Sequence, residues 1–108
     1  MNKLFENQTV IISGGLGDIG RATALEFAKY GANIALCDVR PASEGREFLE
    51  KIAQYKVQSD YSQVDVTDAN AVRNWGMHVE DQLGVPGIII ANAATATFSG
   101  VIEITPEQ

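Results

Sequence analysis

Apolar residues fall in short unbroken runs, separated by longer stretches in which they recur every three or four positions. Thr9-Val10-Ile11-Ile12 is continuous over a strand's length and ends in a glycine cluster. A run without alternation suits a parallel strand covered on both faces. Ile19 to Tyr30 carries Ala22, Leu25, Phe27 and Ala28 and reads as a helix stopped by Gly31. Ile34 to Cys37 is a second apolar strand, ending at Asp38. Pro41 then opens a helix in which Phe48, Leu49 and Ile52 recur at helical spacing as far as about Tyr55. A third strand is expected within Val57 to Val64, where mixed polarity places it near the sheet edge. Thr67 is the expected N-cap of a third helix, whose stripe is Val72, Trp75, Val79 and Leu83. Gly84, Pro86 and Gly87 end that helix. Ile88 to Ala91 then reads as a fourth buried strand, leading into Asn92-Ala93-Ala94. Strand and helix alternating at this period predict right-handed parallel crossovers and a layered α/β sheet.

The 108 residues leave room for one domain, and 45% hydrophobic against 20% charged residues excludes a disordered chain. The net charge is -6, from 8 basic and 14 acidic residues, and no basic run occurs, so phosphate-backbone contacts to nucleic acid are not expected. Apolar runs such as Ile88 to Ala91 are far shorter than the roughly 20 residues of a membrane helix. Met1 to Gln8 lacks a signal-peptide core. One cysteine, Cys37, cannot form an internal disulfide, which fits a reducing compartment. A cytoplasmic protein without nucleic-acid or membrane partners is the expectation.

Chemistry concentrates in Ser13-Gly14-Gly15-Leu16-Gly17-Asp18-Ile19-Gly20, between the first strand and the first helix. Gly15, Gly17 and Gly20 fit G-x-G-x-x-G, whose glycines let the backbone turn sharply and approach a pyrophosphate. The helix behind it offers unpaired N–H groups and a partial positive charge. A tight structural turn would also use glycine, but the position between strand and helix favours phosphate binding. Asp38 ends the second strand, 18 residues beyond Gly20. An acid there accepts hydrogen bonds from an adenosine ribose and repels a 2′-phosphate, which favours NAD over NADP. The alternative is a loop aspartate capping the turn before Pro41, and Arg40 nearby is able to accommodate a 2′-phosphate. His78 lacks a second ligand at metal spacing and reads as a helix-surface residue. Cys37 reads as a small core hydrophobe, Trp75 and Met77 as core or partly covered helix face, and Asp60, Asp65 and Asp68 as scattered acids. Thr95, Thr97 and Ser99 lie in a loop suited to a substrate cleft or to plain surface.

These residues resemble the short-chain dehydrogenase/reductase family across essentially the whole chain. Ser13, Gly14, Ile19 and Gly20 are similar to its T-G-x-x-x-G-x-G loop; Asp65-Val66-Thr67 resembles its D-V-T element; Asn92-Ala93-Ala94 is close to its N-A-G. The resemblance implies a Rossmann-type parallel sheet with helices on both faces, incomplete at about four strands in the order 3-2-1-4. It implies a nicotinamide cofactor, with NAD favoured and NADP the alternative. The implied cofactor-binding set is Ser13, Gly14, Leu16, Gly17, Asp18, Ile19, Gly20, Asp38, Asp65, Val66, Asn92, Ala93 and Ala94. In the family, D-V-T contacts the adenine and N-A-G braces the sheet and lines the cleft. Two positions depart from the pattern. Asp18 stands where the family has its central glycine, and its side chain is expected to turn to solvent, away from the pyrophosphate. Ala94 replaces a glycine.

The implied reaction is hydride transfer between nicotinamide and a carbonyl or alcohol carbon, with a tyrosine as acid/base, a lysine four residues later and a serine on the substrate oxygen. Tyr30, Tyr55 and Tyr61 are followed four residues on by Ile34, Ser59 and Asp65, so no Tyr-x-x-x-Lys occurs and no catalytic residue is assigned. Thr105-Pro106-Glu107-Gln108 reads as a helix start. Residues 1–108 are therefore expected to be the N-terminal part of one dinucleotide-binding domain, inactive alone, from a homo-oligomeric parent (dimer or tetramer) about twice as long; a half-domain completed by a partner chain is the alternative. Two other functions compete. One is a non-catalytic NAD-binding or scaffolding module, separated from the enzyme by whether Tyr-x-x-x-Lys follows Gln108 in the coding sequence. The other is an S-adenosylmethionine-dependent methyltransferase, disfavoured because no acid precedes the glycines and D-V-T and N-A-A have no role there.

Overall fold

The computed structural model describes residues 3–92. They form β1 (Thr9–Ser13), α1 (Asp18–Lys29), β2 (Asn33–Asp38), α2 (Ala42–Ala53), β3 (Ser59–Gln63), α3 (Ala69–Leu83) and β4 (Ile88–Ala91). The strands are all parallel, as the pattern predicts, in the order β3-β2-β1-β4, the Rossmann-type arrangement the resemblance implies. From β1 the sheet extends to β2 on one side and to β4 on the other, which makes the carboxyl end of β1 the topological switch point where open α/β sheets bind ligands. Ala93, Ala94, the Thr95–Ser99 loop and the helix start at Thr105 lie outside the described residues.

Continuous apolar strands serve two cores because successive side chains point to opposite faces. Val10, Ile12, Ile34 and Leu36 join Ala24, Ala28, Phe48 and Ile52 beneath α1 and α2. Ile11, Ala35 and Cys37 join Val72, Trp75 and Val79 beneath α3. Each fully buried large aliphatic side chain contributes roughly 1.5–3 kcal/mol, enough to fix the strands at the centre of the sheet. Helix α1 stops as expected: Gly31 follows the Tyr30 C-cap with φ +97°, and its N–H donates to the Ala28 carbonyl at 3.0 Å. The end of α3 is tied to β1, where Thr9 Oγ1 donates to the Leu83 carbonyl at 2.8 Å.

Two expectations are corrected. The N-cap of α3 is Asp68, not Thr67: the Asp68 carboxylate accepts the Ala71 N–H, while the Thr67 hydroxyl is already committed as a donor to Asp65 Oδ1 at 2.7 Å. And β4 is only half buried. Its residues alternate between intermediate and exposed, with Ile89 46% exposed, because among the described residues β4 pairs with β1 alone and its outer edge has no neighbour. The polar strand β3 holds the opposite edge, as its composition predicts. There Asp60 Oδ2 lies 3.1 Å from His78 Nε2 on α3, without hydrogen-bond alignment. No helix among the described residues is long and apolar enough to cross a membrane.

Candidate functional site

At the carboxyl ends of β1, β2 and β3 opens a cleft of about 680 Å³. Its floor is the glycine loop, and the glycines there are not equivalent. Gly14 leaves β1 with φ +67°, a left-handed turn that disfavours any side chain. A Cβ on Gly15 would stand 2.7 Å from Leu36 Cδ2, and one on Gly20 would overlap the Gly14 carbonyl and lie 2.8 Å from Gly15 Cα. Those two glycines let α1 and the loop press against the sheet. Gly17 differs: a Cβ there meets only Gly14 O at 3.6 Å, an ordinary contact, and its φ of -75° suits any residue. The fold itself therefore does not demand glycine at position 17, which lines the cleft.

Gly17 is also the N-cap of α1 and supplies no side-chain cap, whereas α3 is capped by Asp68. The first-turn N–H groups of α1 have no intrahelical acceptor, so this end of the helix is suited to an anion. Asp18 sits in that first turn, exposed on the cleft rim. Its carboxylate is favourably placed for the helix dipole.

Asp38 forms the opposite wall. Its Oδ2 accepts the Leu16 N–H at 3.0 Å and its Oδ1 accepts the Val39 N–H at 2.8 Å. The acid thus fastens the glycine loop to the end of β2, and each oxygen retains a lone pair for a further donor. Asp65 continues from β3 and accepts both the Thr67 hydroxyl and the Thr67 N–H, which hold its carboxyl below the usual carboxylate range. Asn92, after β4, donates its N–H to Ser13 Oγ at 3.2 Å and its side-chain amide to Gly14 O at 3.4 Å, bridging the fourth strand to the loop.

Of the residues singled out in the sequence, Gly14, Gly17, Asp18, Ile19, Asp38, Asp65, Val66 and Asn92 come together on the cleft. Ser13 and Gly20 are buried behind it. Leu16 packs its side chain into the core at 1% exposure and meets the site through its N–H alone. Val39 and Val64 also line the cleft and were not foreseen; their adjacency to Asp38 and Asp65 at strand ends is the signal that marks them. Ile19 and Val39, 70% and 62% exposed, leave two bare apolar side chains at the cleft. Cys37 is fully buried and burial pushes its thiol up to about 12, which leaves it unreactive at neutral pH. No cluster of metal-ligand residues occurs among the described residues.

The short chain dehydrogenase family profile matches residues 8–108. The chain is 33% identical over 104 residues to the probable oxidoreductase EphD of Mycobacterium tuberculosis, covering 96% of this chain and 17% of that protein. It is 32% identical to an NADP(+) L-rhamnose 1-dehydrogenase of Thermoplasma acidophilum, covering 94% of this chain and 40% of the relative. Among solved structures, carveol dehydrogenase from Mycobacterium avium in complex with NAD superposes with a TM-score of 0.78 at 26% identity, covering 86% of this chain and 37% of its own. NAD+-bound xylitol dehydrogenase superposes at 0.76 and 28% identity, covering 81% and 33%. The chain thus spans well under half the length of these relatives.

Proposed function

The chain belongs to the short-chain dehydrogenase family, and from that premise we propose that it is the cofactor-binding part of an NAD-dependent oxidoreductase. The bound nicotinamide supplies hydride exchange with a carbonyl or alcohol carbon of a small substrate. This chain's own residues do the binding. The uncapped N-terminus of α1 and the backbone at Gly17 receive the pyrophosphate, Asp38 accepts from the adenosine ribose, and Val39 and Val66 flank the adenine. Residues 1–108 form the N-terminal part of one dinucleotide domain and turn nothing over alone, since they include no Tyr-x-x-x-Lys.

The observation that carries this reading is Gly17: a glycine with room for a side chain, facing the cleft at an uncapped helix end. Preference for NAD rests on the carboxylate of Asp38, which repels a 2′-phosphate. Fluorescence titration with NADH and NADPH tests it. Tighter NADH binding is expected, with the preference relaxed in Asp38→Ala. Equal affinities would overturn the role of Asp38, and binding of neither would overturn the dinucleotide site.

A further inference from the structure

The segment that carries Asp38 is held from behind by the edge strand. The Tyr61 hydroxyl lies 2.5 Å from the Arg40 carbonyl and 3.2 Å from the Asp38 carbonyl. With one proton to give, it donates to the nearer, Arg40. Gln63 Nε2 donates to the Val39 carbonyl at 3.0 Å, and the Val64 N–H donates to the Asp38 carbonyl at 2.9 Å. All three carbonyls of Asp38-Val39-Arg40 are thereby satisfied from β3 and the residue after it. Burial, with Asp38 close by, pushes the Tyr61 phenol up to about 12, so it remains a donor.

Gly45 supplies an independent observation. A glycine inside a helix is destabilising relative to alanine, yet Gly45 lies in α2 and is buried. A Cβ there would overlap the Tyr61 ring. The helix gives up a side chain so that the ring can lie against it and put its hydroxyl under the loop. On the loop's exposed side, the Arg40 guanidinium is restrained, among the described residues, by a 3.8 Å pair with Glu44, both about half exposed, a contact of little strength.

Resting on the dinucleotide reading above, we propose that Tyr61, seated on Gly45, and Gln63 are positioning residues for dinucleotide discrimination: they fix the backbone that aims the Asp38 carboxylate and keeps the Arg40 guanidinium out of the 2′-position. Neither lines the cleft; both act through the loop. Losing either donor lets the Asp38 carboxylate drift from the ribose and frees Arg40 to meet a 2′-phosphate.

The test is calorimetric titration of the full-length protein with ADP-ribose and with 2′-phospho-ADP-ribose, ligands that report the adenosine half alone. The wild type is expected to favour ADP-ribose. In Tyr61→Phe the ratio of the two affinities should fall about three- to tenfold toward unity, the range for losing one hydrogen bond. Exposed Gln63→Leu should shift it in the same direction by about two- to threefold, and serves if Tyr61→Phe does not fold. An unchanged ratio in the variants, or equal weakening of both ligands, overturns the positioning role. A wild type without preference instead overturns the Asp38 reading on which it rests.

Discussion

Replacing Gly17 and Gly20 separately by alanine distinguishes a glycine that the fold needs from one that a ligand needs. At Gly20 the new Cβ would overlap the Gly14 carbonyl and stand 2.8 Å from Gly15 Cα. Both obstacles are backbone, so relief requires moving the loop or α1 as a unit. Overpacking a core typically costs about 1–3 kcal/mol, and a clash with rigid backbone belongs at the upper end, about 3 kcal/mol. In a complete domain of 150–250 residues that lowers Tm by roughly 6–12 °C. At Gly17 the Cβ meets one atom at 3.6 Å and φ is -75°. Alanine there narrows the unfolded ensemble, stabilising by about 0.4–1 kcal/mol, and is a poorer N-cap by a similar amount, so the two effects cancel to within about 1 kcal/mol. Its methyl group, however, occupies the approach to the α1 N–H groups. Losing one charge-assisted hydrogen bond, about 1.5–3 kcal/mol, weakens dinucleotide binding roughly ten- to a hundredfold. Differential scanning calorimetry and NADH titration on both variants provide the measurement. Gly17→Ala should melt with the wild type and bind poorly, while Gly20→Ala should melt early. If Gly17→Ala instead binds like the wild type, the cleft does not bring a phosphate to that position; if it melts like Gly20→Ala, its glycine is structural.

Three further outcomes follow from the same structure. Trp75 is 3% exposed and its indole N–H is buried without an acceptor among the described residues, so Trp75→Ala should cost about 3–5 kcal/mol in denaturant unfolding, whereas Trp75→Phe should cost less than about half of that because it also removes the unpaired donor. The Asp65 carboxyl, depressed below 3.8 by the Thr67 hydroxyl and N–H, contributes stability above pH 3.8 that disappears as pH falls through its folded value; Thr67→Val should move its NMR titration back up toward 3.8, and an unmoved midpoint would contradict the cause given. Cys37, buried with its thiol pushed up to about 12, should resist a thiol reagent at pH 8 until guanidinium unfolds the chain; rapid labelling of the folded protein would show that the second strand opens.

Element order and strand direction were legible because unbroken apolar runs and a helical stripe each report a local period, while the sheet order came from the family resemblance. Val72, Trp75 and Val79 bury as a stripe, and β3 takes the edge that its polarity suggests. What escaped the pattern depends on partners far along the chain. Thr67 was a sound N-cap by type, but its hydroxyl was taken by Asp65, leaving Asp68 for the helix. The apolar run Ile88 to Ala91 reads as buried, yet whether a strand is covered depends on what lies beside it, and β4 exposes Ile89.

The sequence by itself determined that this chain is a parallel α/β unit with a glycine loop between its first strand and helix and an acid at the end of its second. Only the tertiary structure decided how those parts become one site. It paired Asp38 with the N–H of Leu16, 22 residues away, and placed the Tyr61 hydroxyl and the Gln63 amide beneath the loop that carries the acid. It also showed that Gly15 and Gly20 are fixed by packing while Gly17 is not. The reason is physical: the period of a strand or helix is a property of neighbouring residues, whereas these contacts arise from the register in which β1, β2 and β3 lie side by side, and register is settled by the packing of the whole sheet.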